Sequence, residues 1–191
     1  PADMPDPKLT PEAGYRRHPW VEVVALRQPH ANGLTPEGSR TAVAAYLGLC
    51  TFIDHQIGRV LDTLETVGLS DNTRVIYTSD HGENAGARGL WGKSVMYEES
   101  TGVPMILSGP DVEKGQVCTT PVSLIDLYPT IIKAVGLKTT DEEVDLPGRS
   151  LFEVASGPSN QDRCVFAQYH ASGSPTGGFM VRKGRYKYHY Y

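Results

Sequence analysis

From Ser39 to Val67 apolar side chains return at steps of three and four residues: Val43, Leu47, Cys50, Ile53, Ile57, Leu61 and Leu64. That spacing lays one apolar stripe along a helix of about eight turns. Thr35-Pro36-Glu37 offers an N-cap with proline at the first helical position, and Gly68 offers a C-cap. Immediately after "LSDN" the period changes. "TRVIYTS" is a β-branched, apolar run of the kind that forms a buried strand, and "VPMILSG" at 103–109 is a second. "PVSLIDLYPTIIKAVG" then restores helical spacing and ends at Gly136. Helices alternating with buried strands restrict the chain to an α/β sandwich around a mainly parallel sheet.

The two ends depart from this pattern. Residues 1–20, "PADMPDPKLTPEAGYRRHPW", carry several prolines and little periodicity, which predicts a meandering surface segment or linker. After about residue 160 the chain turns to aromatic strands, "RCVFAQYH" and "FMVRKGRYKYHYY", the second with Lys183-Gly184 as a hairpin turn. We therefore expect an α/β domain over 1–160 with a linker-like start. The beginning of a small antiparallel C-terminal subdomain is expected over 161–191.

Composition narrows the classes of function. Hydrophobic residues make up 39% of the 191 and charged residues 21%, enough apolar content to build a core. The formal net charge of -4 gives no general attraction to nucleic acid or to an anionic membrane. Alternating basic and aromatic residues in "RKGRYKYHYY" are what a half-exposed hairpin looks like, so no nucleic-acid partner is expected. No apolar run approaches the roughly 18 residues of a bilayer span, so no membrane partner is expected either. Cys50, Cys118 and Cys164 are odd in number, far apart and without metal-type spacing. They read as small core residues and slightly favour a reducing compartment such as the cytoplasm. No signal-peptide pattern is present; the sequence opens at Pro1 without methionine, so an upstream segment is expected to have been removed.

The chemistry gathers where the first strand ends. "SDHGENAGARGLWGK" sets Asp80 and His81 side by side, with Arg88 and Lys93 following in a glycine-punctuated loop. Ligands of open α/β sheets collect beyond the carboxyl ends of the strands. A carboxylate and an imidazole both ligate divalent cations, and two cationic side chains beside a metal suit a tetrahedral oxyanion. An Asp-His pair met in isolation reads first as a turn cap and an ordinary histidine, and the basic pair as a solvated loop. Two ligands do not complete a metal site, unless Asp54, Glu83, Glu98 or His170 converges on it. Asp54 lies on the apolar stripe of its helix, where a buried structural hydrogen bond is the expected role.

"SDHGENAGARGLWGKSVMYEESTGVPMIL" resembles the sulfatase family of the alkaline-phosphatase superfamily, and within it the choline-sulfatase and phosphonate-monoester-hydrolase branch. "YLGLCTFIDHQIGRVLDTLE" is similar to the family's long helix before that motif. "SLIDLYPTIIKAVG" with "LPGRSL" resembles its later helix and loop, and "YHASGSPTGGFMVRKGRYKYHYY" its C-terminal subdomain. The resemblance runs from about residue 15 to the end. It implies an alkaline-phosphatase-like sandwich, present in part, and a sulfuric ester hydrolase. Asp80 and His81 match two metal ligands, with calcium the implied cation and magnesium or manganese the alternatives. Lys93 matches the lysine that contacts the sulfuryl or phosphoryl oxygens. Arg88 stands where many relatives carry histidine and some carry arginine, and the resemblance turns it toward the anion. His170 falls in the substrate pocket.

One departure accompanies these matches. The family's nucleophile lies in a Cys/Ser-x-Pro-x-Arg motif whose Cys or Ser becomes formylglycine, and two further acidic ligands come from near the N-terminus. Cys50 is followed by "TFID", Cys118 by "TTPV" and Cys164 by "VFAQ", and no serine fits. The resemblance thus implies the C-terminal half of a sulfatase, inactive alone, whose partner is the N-terminal half of the same protein. A small-molecule sulfate, phosphate or phosphonate ester is the implied substrate. A phosphonate monoester hydrolase or phosphodiesterase on the same scaffold, a non-catalytic member of the family, and a homo-oligomer all stay open.

Overall fold

The computed structural model describes residues 3–7, 17–28, 34–143, 145–171 and 174–191. Most of the expected linker over residues 1–16 lies outside the described residues, but its end does not behave as a linker. Pro19–Leu26 form helix α1, with Pro19 in the first turn and the His18 ring accepting the Trp20 N–H at 3.2 Å. Trp20, Val21, Val24 and Ala25 of α1 are buried together with Leu90 and Val95, and Tyr97, Tyr169 and Tyr191 close over them. Trp20 stacks on Tyr191 with ring centroids 4.4 Å apart and donates its indole N–H to the Thr176 carbonyl at 3.2 Å. The main core therefore joins α1, the loop carrying the charged motif and the C-terminal sheet.

Helix α2 spans Pro36–Thr66, and the Thr35 hydroxyl accepts the Gly38 N–H at 3.1 Å as the sequence predicts. None of its 31 residues is buried. Of its stripe, Leu47, Ile53 and Leu61 stand exposed and Val43, Ile57 and Leu64 are half-buried. Asp54 is exposed too, and the expected buried hydrogen bond is absent, because no element covers that face among the described residues.

Strands β1 (Val75–Thr78) and β2 (Met105–Ser108) pair antiparallel, with Val75 opposite Ser108 and Thr78 opposite Met105. This differs from the parallel arrangement expected. A parallel pair needs a crossover long enough to carry the chain back along a strand. The only α-helix between these two is α3 (Glu98–Thr101), a single turn, so the chain reverses instead. Gly109 makes the ladder's end possible: at φ 121° it lies so close to Thr73 that a Cβ would sit 2.4 Å from the Thr73 carbonyl oxygen.

Helix α4 (Leu127–Ala134) follows a capping box between Ser123 and Asp126, and α5 (Leu151–Ser156) packs beside it. The C-terminal piece is the expected small antiparallel sheet, in the order β3 (Cys164–Tyr169), β4 (Gly178–Lys183), β5 (Tyr186–Tyr190). Lys183 pairs with Tyr186, so the turn residues are Gly184 and Arg185, one position beyond the expected pair. Gly184, at φ 54°, supplies the left-handed conformation. Arg163 ties this sheet back: its two terminal nitrogens reach the two carboxylate oxygens of fully buried Asp126 at 2.6 and 2.9 Å. All three cysteines are exposed thiols, not core residues. Among the described residues no helix is long and apolar enough to cross a membrane.

Candidate metal and anion site

Asp80 and His81 follow β1 directly, on a turn fixed by its own hydrogen bonds. The Asp80 carboxylate accepts the His81 N–H at 3.0 Å, and the Ser79 hydroxyl donates to the His81 carbonyl at 2.8 Å. His81 Nδ1 lies 2.9 Å from the Gly82 carbonyl oxygen. A carbonyl only accepts, so Nδ1 is the donor in this contact, and in the neutral ring Nε2 is then the lone-pair nitrogen. That lone-pair nitrogen lies 3.5 Å from Asp80 Oδ2. Metal–ligand distances of about 2.0–2.6 Å place neighbouring ligand atoms of one cation roughly 3 to 3.5 Å apart. The pair therefore fits as two adjacent ligands. The Asp80 side chain is 84% exposed and that of His81 37%, so the pair is not sealed from solvent. Among the described residues no three His, Cys, Asp or Glu side chains gather into a complete site.

The loop that follows is folded back against this turn by main-chain bonds. Glu83 accepts the N–H groups of Ala85 and Gly92 at 3.0 and 2.6 Å, and the Asn84 N–H donates to the Gly92 carbonyl at 2.9 Å. Lys93 follows Gly92 directly, so its backbone belongs to the loop that these bonds hold. Its side chain is exposed, and its ammonium has no hydrogen bond or ion pair among the described residues. An imidazole, an exposed carboxylate and an uncommitted ammonium are groups whose chemistry suits a cation and an anionic oxygen group.

Arg88 is placed differently. It adopts a left-handed φ of 55°, stacks its guanidinium 4.1 Å from the centre of the Tyr97 ring and pairs with Glu99 at 2.7 Å. Its hydrogen-bonding capacity is thus directed at α3 and not at Asp80 or His81. Burial pushes the Glu99 carboxyl up, but the Arg88 hydrogen bond and charge, with a backbone N–H, outweigh it and hold the group low. His170 lies with the C-terminal sheet: its ring meets Phe179 edge-on at 5.2 Å and its Nε2 is 3.5 Å from the Gln168 side chain. These contacts do not join it to the strand end.

Of the residues that hold the loop together, the sequence offered Glu83 and Glu98 only as possible ligands, and Ser100 not at all. Buried Ser100 accepts the Gly82 N–H on its carbonyl at 2.8 Å, and its hydroxyl donates to the Lys93 carbonyl. Glu98 takes Lys187 of β5 at 2.6 Å and Arg182 of β4 at 3.1 Å. The Lys187 hydrogen bond, against the effect of burial, draws the Glu98 carboxyl below the ordinary carboxylate range. The only signal in the sequence was "YEES" itself, a pair of acids just after the lysine.

Comparison with known proteins places these residues in context. Residues 10–137 match the family model for sulfatases, and residues 86–191 match that for the C-terminal part of N-sulphoglucosamine sulphohydrolase. The chain is 30% identical to a choline-sulfatase of Rhizobium meliloti (strain 1021), over 95% of this chain and 36% of that protein. It is 33% identical to arylsulfatase K of Danio rerio, over 90% of this chain and 33% of the relative. Among solved structures, the phosphonate monoester hydrolase of Silicibacter pomeroyi superposes with a TM-score of 0.85 at 29% identity, covering 100% of this chain and 42% of the other. The chain thus spans about a third of the length of these two sulfatases.

Proposed function

This chain belongs to the sulfatase family, and we propose that it supplies half of the cation site and the anion-binding lysine of a metal-dependent sulfuric ester hydrolase. Asp80 Oδ2 and His81 Nε2 hold the cation, and Lys93 takes a non-bridging oxygen of the ester by a charge-assisted hydrogen bond. When bound, the cation supplies Lewis-acid polarisation and charge neutralisation. The remaining ligands and the formylglycine come from the part of the protein that its longer relatives carry beyond the matched third. Calcium is the cation of the first reading, with magnesium and manganese as alternatives; the imidazole nitrogen suits manganese better than calcium. Arg88, already paired with Glu99, adds positive charge behind the loop, and His170 belongs to the organic side of the pocket. The observation that carries the reading is the 3.5 Å approach of His81 Nε2 to an exposed carboxylate oxygen at a strand end.

A second reading, phosphonate monoester hydrolase, is favoured by the superposition over the whole chain on the Silicibacter pomeroyi enzyme. A cation pair and a lysine serve either tetrahedral anion. The test is hydrolysis of an aryl sulfate and an aryl phosphonate by the full-length protein, with Asp80→Ala beside it. Faster sulfate turnover, lost by about a thousandfold in the variant, is the expected result. Faster phosphonate turnover moves the activity to the second reading. Asp80→Ala retaining turnover within a few-fold of the parent overturns the cation assignment for both.

A further inference from the structure

The strand-end turn and the Lys93 loop meet on α3, and α3 is held from the C-terminal sheet. Lys187 of β5 sends its ammonium to three acceptors at both ends of that single turn: the Glu98 carboxylate at 2.6 Å, the Thr101 hydroxyl at 2.8 Å and the Met96 carbonyl at 3.5 Å. Its side chain is only 16% exposed, so the charge is not idle on the surface. Arg182 of β4 reinforces the same carboxylate, and the His189 ring of β5 meets Tyr97 edge-on at 5.7 Å. On its other side α3 has no slack. A Cβ on Gly82 would stand 2.1 Å from the Glu99 carbonyl oxygen, so the turn after His81 lies flat against α3. Ser100 bonds both that turn, through Gly82, and the carbonyl of Lys93.

We infer that Lys187 is a positioning residue: through α3 and Ser100 it sets the placement of Lys93 relative to the Asp80–His81 pair. It touches neither cation nor ester. Four residues of helix have no independent stability, since an isolated turn that short does not form in water. The conformation of α3 is therefore imposed by what holds its ends, and Lys187 holds both. A displacement of about 1 Å between two groups acting on one reacting centre is enough to cost on the order of a hundredfold in rate.

The consequence for catalysis rests on the sulfatase reading, but the structural link is measured without it. In the full-length protein, amide exchange by mass spectrometry is compared for the parent, Lys187→Met and Lys187→Arg. Peptides covering 80–86 and 93–101 report α3 and its partners, and peptides covering 75–78 and 105–108 report the β1–β2 ladder. We expect Lys187→Met to speed exchange about tenfold in the first set and leave the second unchanged. Lys187→Arg, which keeps charge and donors, restores protection. With an ester the parent turns over, kcat of Lys187→Met falls at least about tenfold while KM moves less than about threefold, since alignment and not binding is lost. Exchange raised equally in both sets means ordinary destabilisation and overturns the inference; so does unchanged exchange, or a lowered kcat that Lys187→Arg does not rescue. A parent that turns over neither aryl sulfate nor aryl phosphonate defeats the functional reading, while the exchange pattern still decides the link.

Discussion

At the scale of single residues, two buried or uncommitted charges carry most of the consequence. Lys93 carries an exposed ammonium with no hydrogen bond or ion pair among the described residues. Lys93→Met in the full-length protein is expected to lower kcat by about a hundred- to a thousandfold, the loss of one oxyanion donor worth roughly 2.7–4 kcal/mol. Steady-state kinetics on the preferred ester checks this. Arg88→Met is expected to act less on turnover, because its partner is Glu99. Asp126 is the opposite kind of charge, fully buried and accepting from Arg163 and from the N–H groups of Ser123 and Arg149 at 2.9 and 2.8 Å. Asp126→Ala strands a buried guanidinium and two N–H groups, which costs about 3–5 kcal/mol by the behaviour of broken buried pairs. Urea unfolding measures that loss directly.

At the scale of elements, the C-terminal hairpin and α3 behave as one unit whose charges answer to pH. Burial lowers the His189 pKa, and the charges of Lys187 and Arg88 add to it. The unfolded chain then binds a proton at a higher pH than the folded one. Stability is complete above the ordinary histidine value near 6.5 and is lost as pH falls through the lower folded value. His189→Phe is expected to flatten the fall of the thermal midpoint on acidifying from pH 7.5, which calorimetry across pH will show. Element existence was widely legible in the sequence. The stripe from Val43 to Leu64 is α2, the β-branched runs are β1 and β2, and the aromatic runs are the C-terminal strands. Asp80, His81 and Lys93 could be named as candidates from the sequence because they lie in one contiguous motif. What was not legible depends on long-range contacts. Pro19 and Trp20 read as the end of a linker because Trp20 finds its packing only against Tyr191 and Leu90, far along the chain. The antiparallel pairing of β1 and β2 was hidden because nothing local marks α3 as too short for a crossover. Lys187 looked like a hairpin charge, since its partner Glu98 is 89 positions away.

At the scale of the whole molecule, apolar surface is left without cover. Along α2 stand Leu49, Phe52 and Val60, and on one face of the C-terminal sheet Phe166, Tyr186, Tyr188 and Tyr190, all exposed. Contiguous patches of this kind associate or bind hydrophobic probes. The 191-residue chain in isolation is expected to bind an anilinonaphthalene dye and to sediment above monomer mass, with Phe52→Ser plus Val60→Ser reducing both. A dye-free monomer would contradict this. The half-site predicts equally that the isolated chain binds calcium or manganese no tighter than about millimolar, because two ligands replace too few waters. Calorimetric titration distinguishes that from a complete site.

The reach of Lys187 to α3 has a meaning in time as well as in space. A growing chain presents Asp80, His81 and Lys93 well before it presents the lysine that fastens them. The 89 positions between Glu98 and Lys187 correspond to about 4 to 18 s of synthesis at roughly 5–20 residues per second. During that interval the nascent loop is without its latch, which arrives only with the hairpin that carries Lys187.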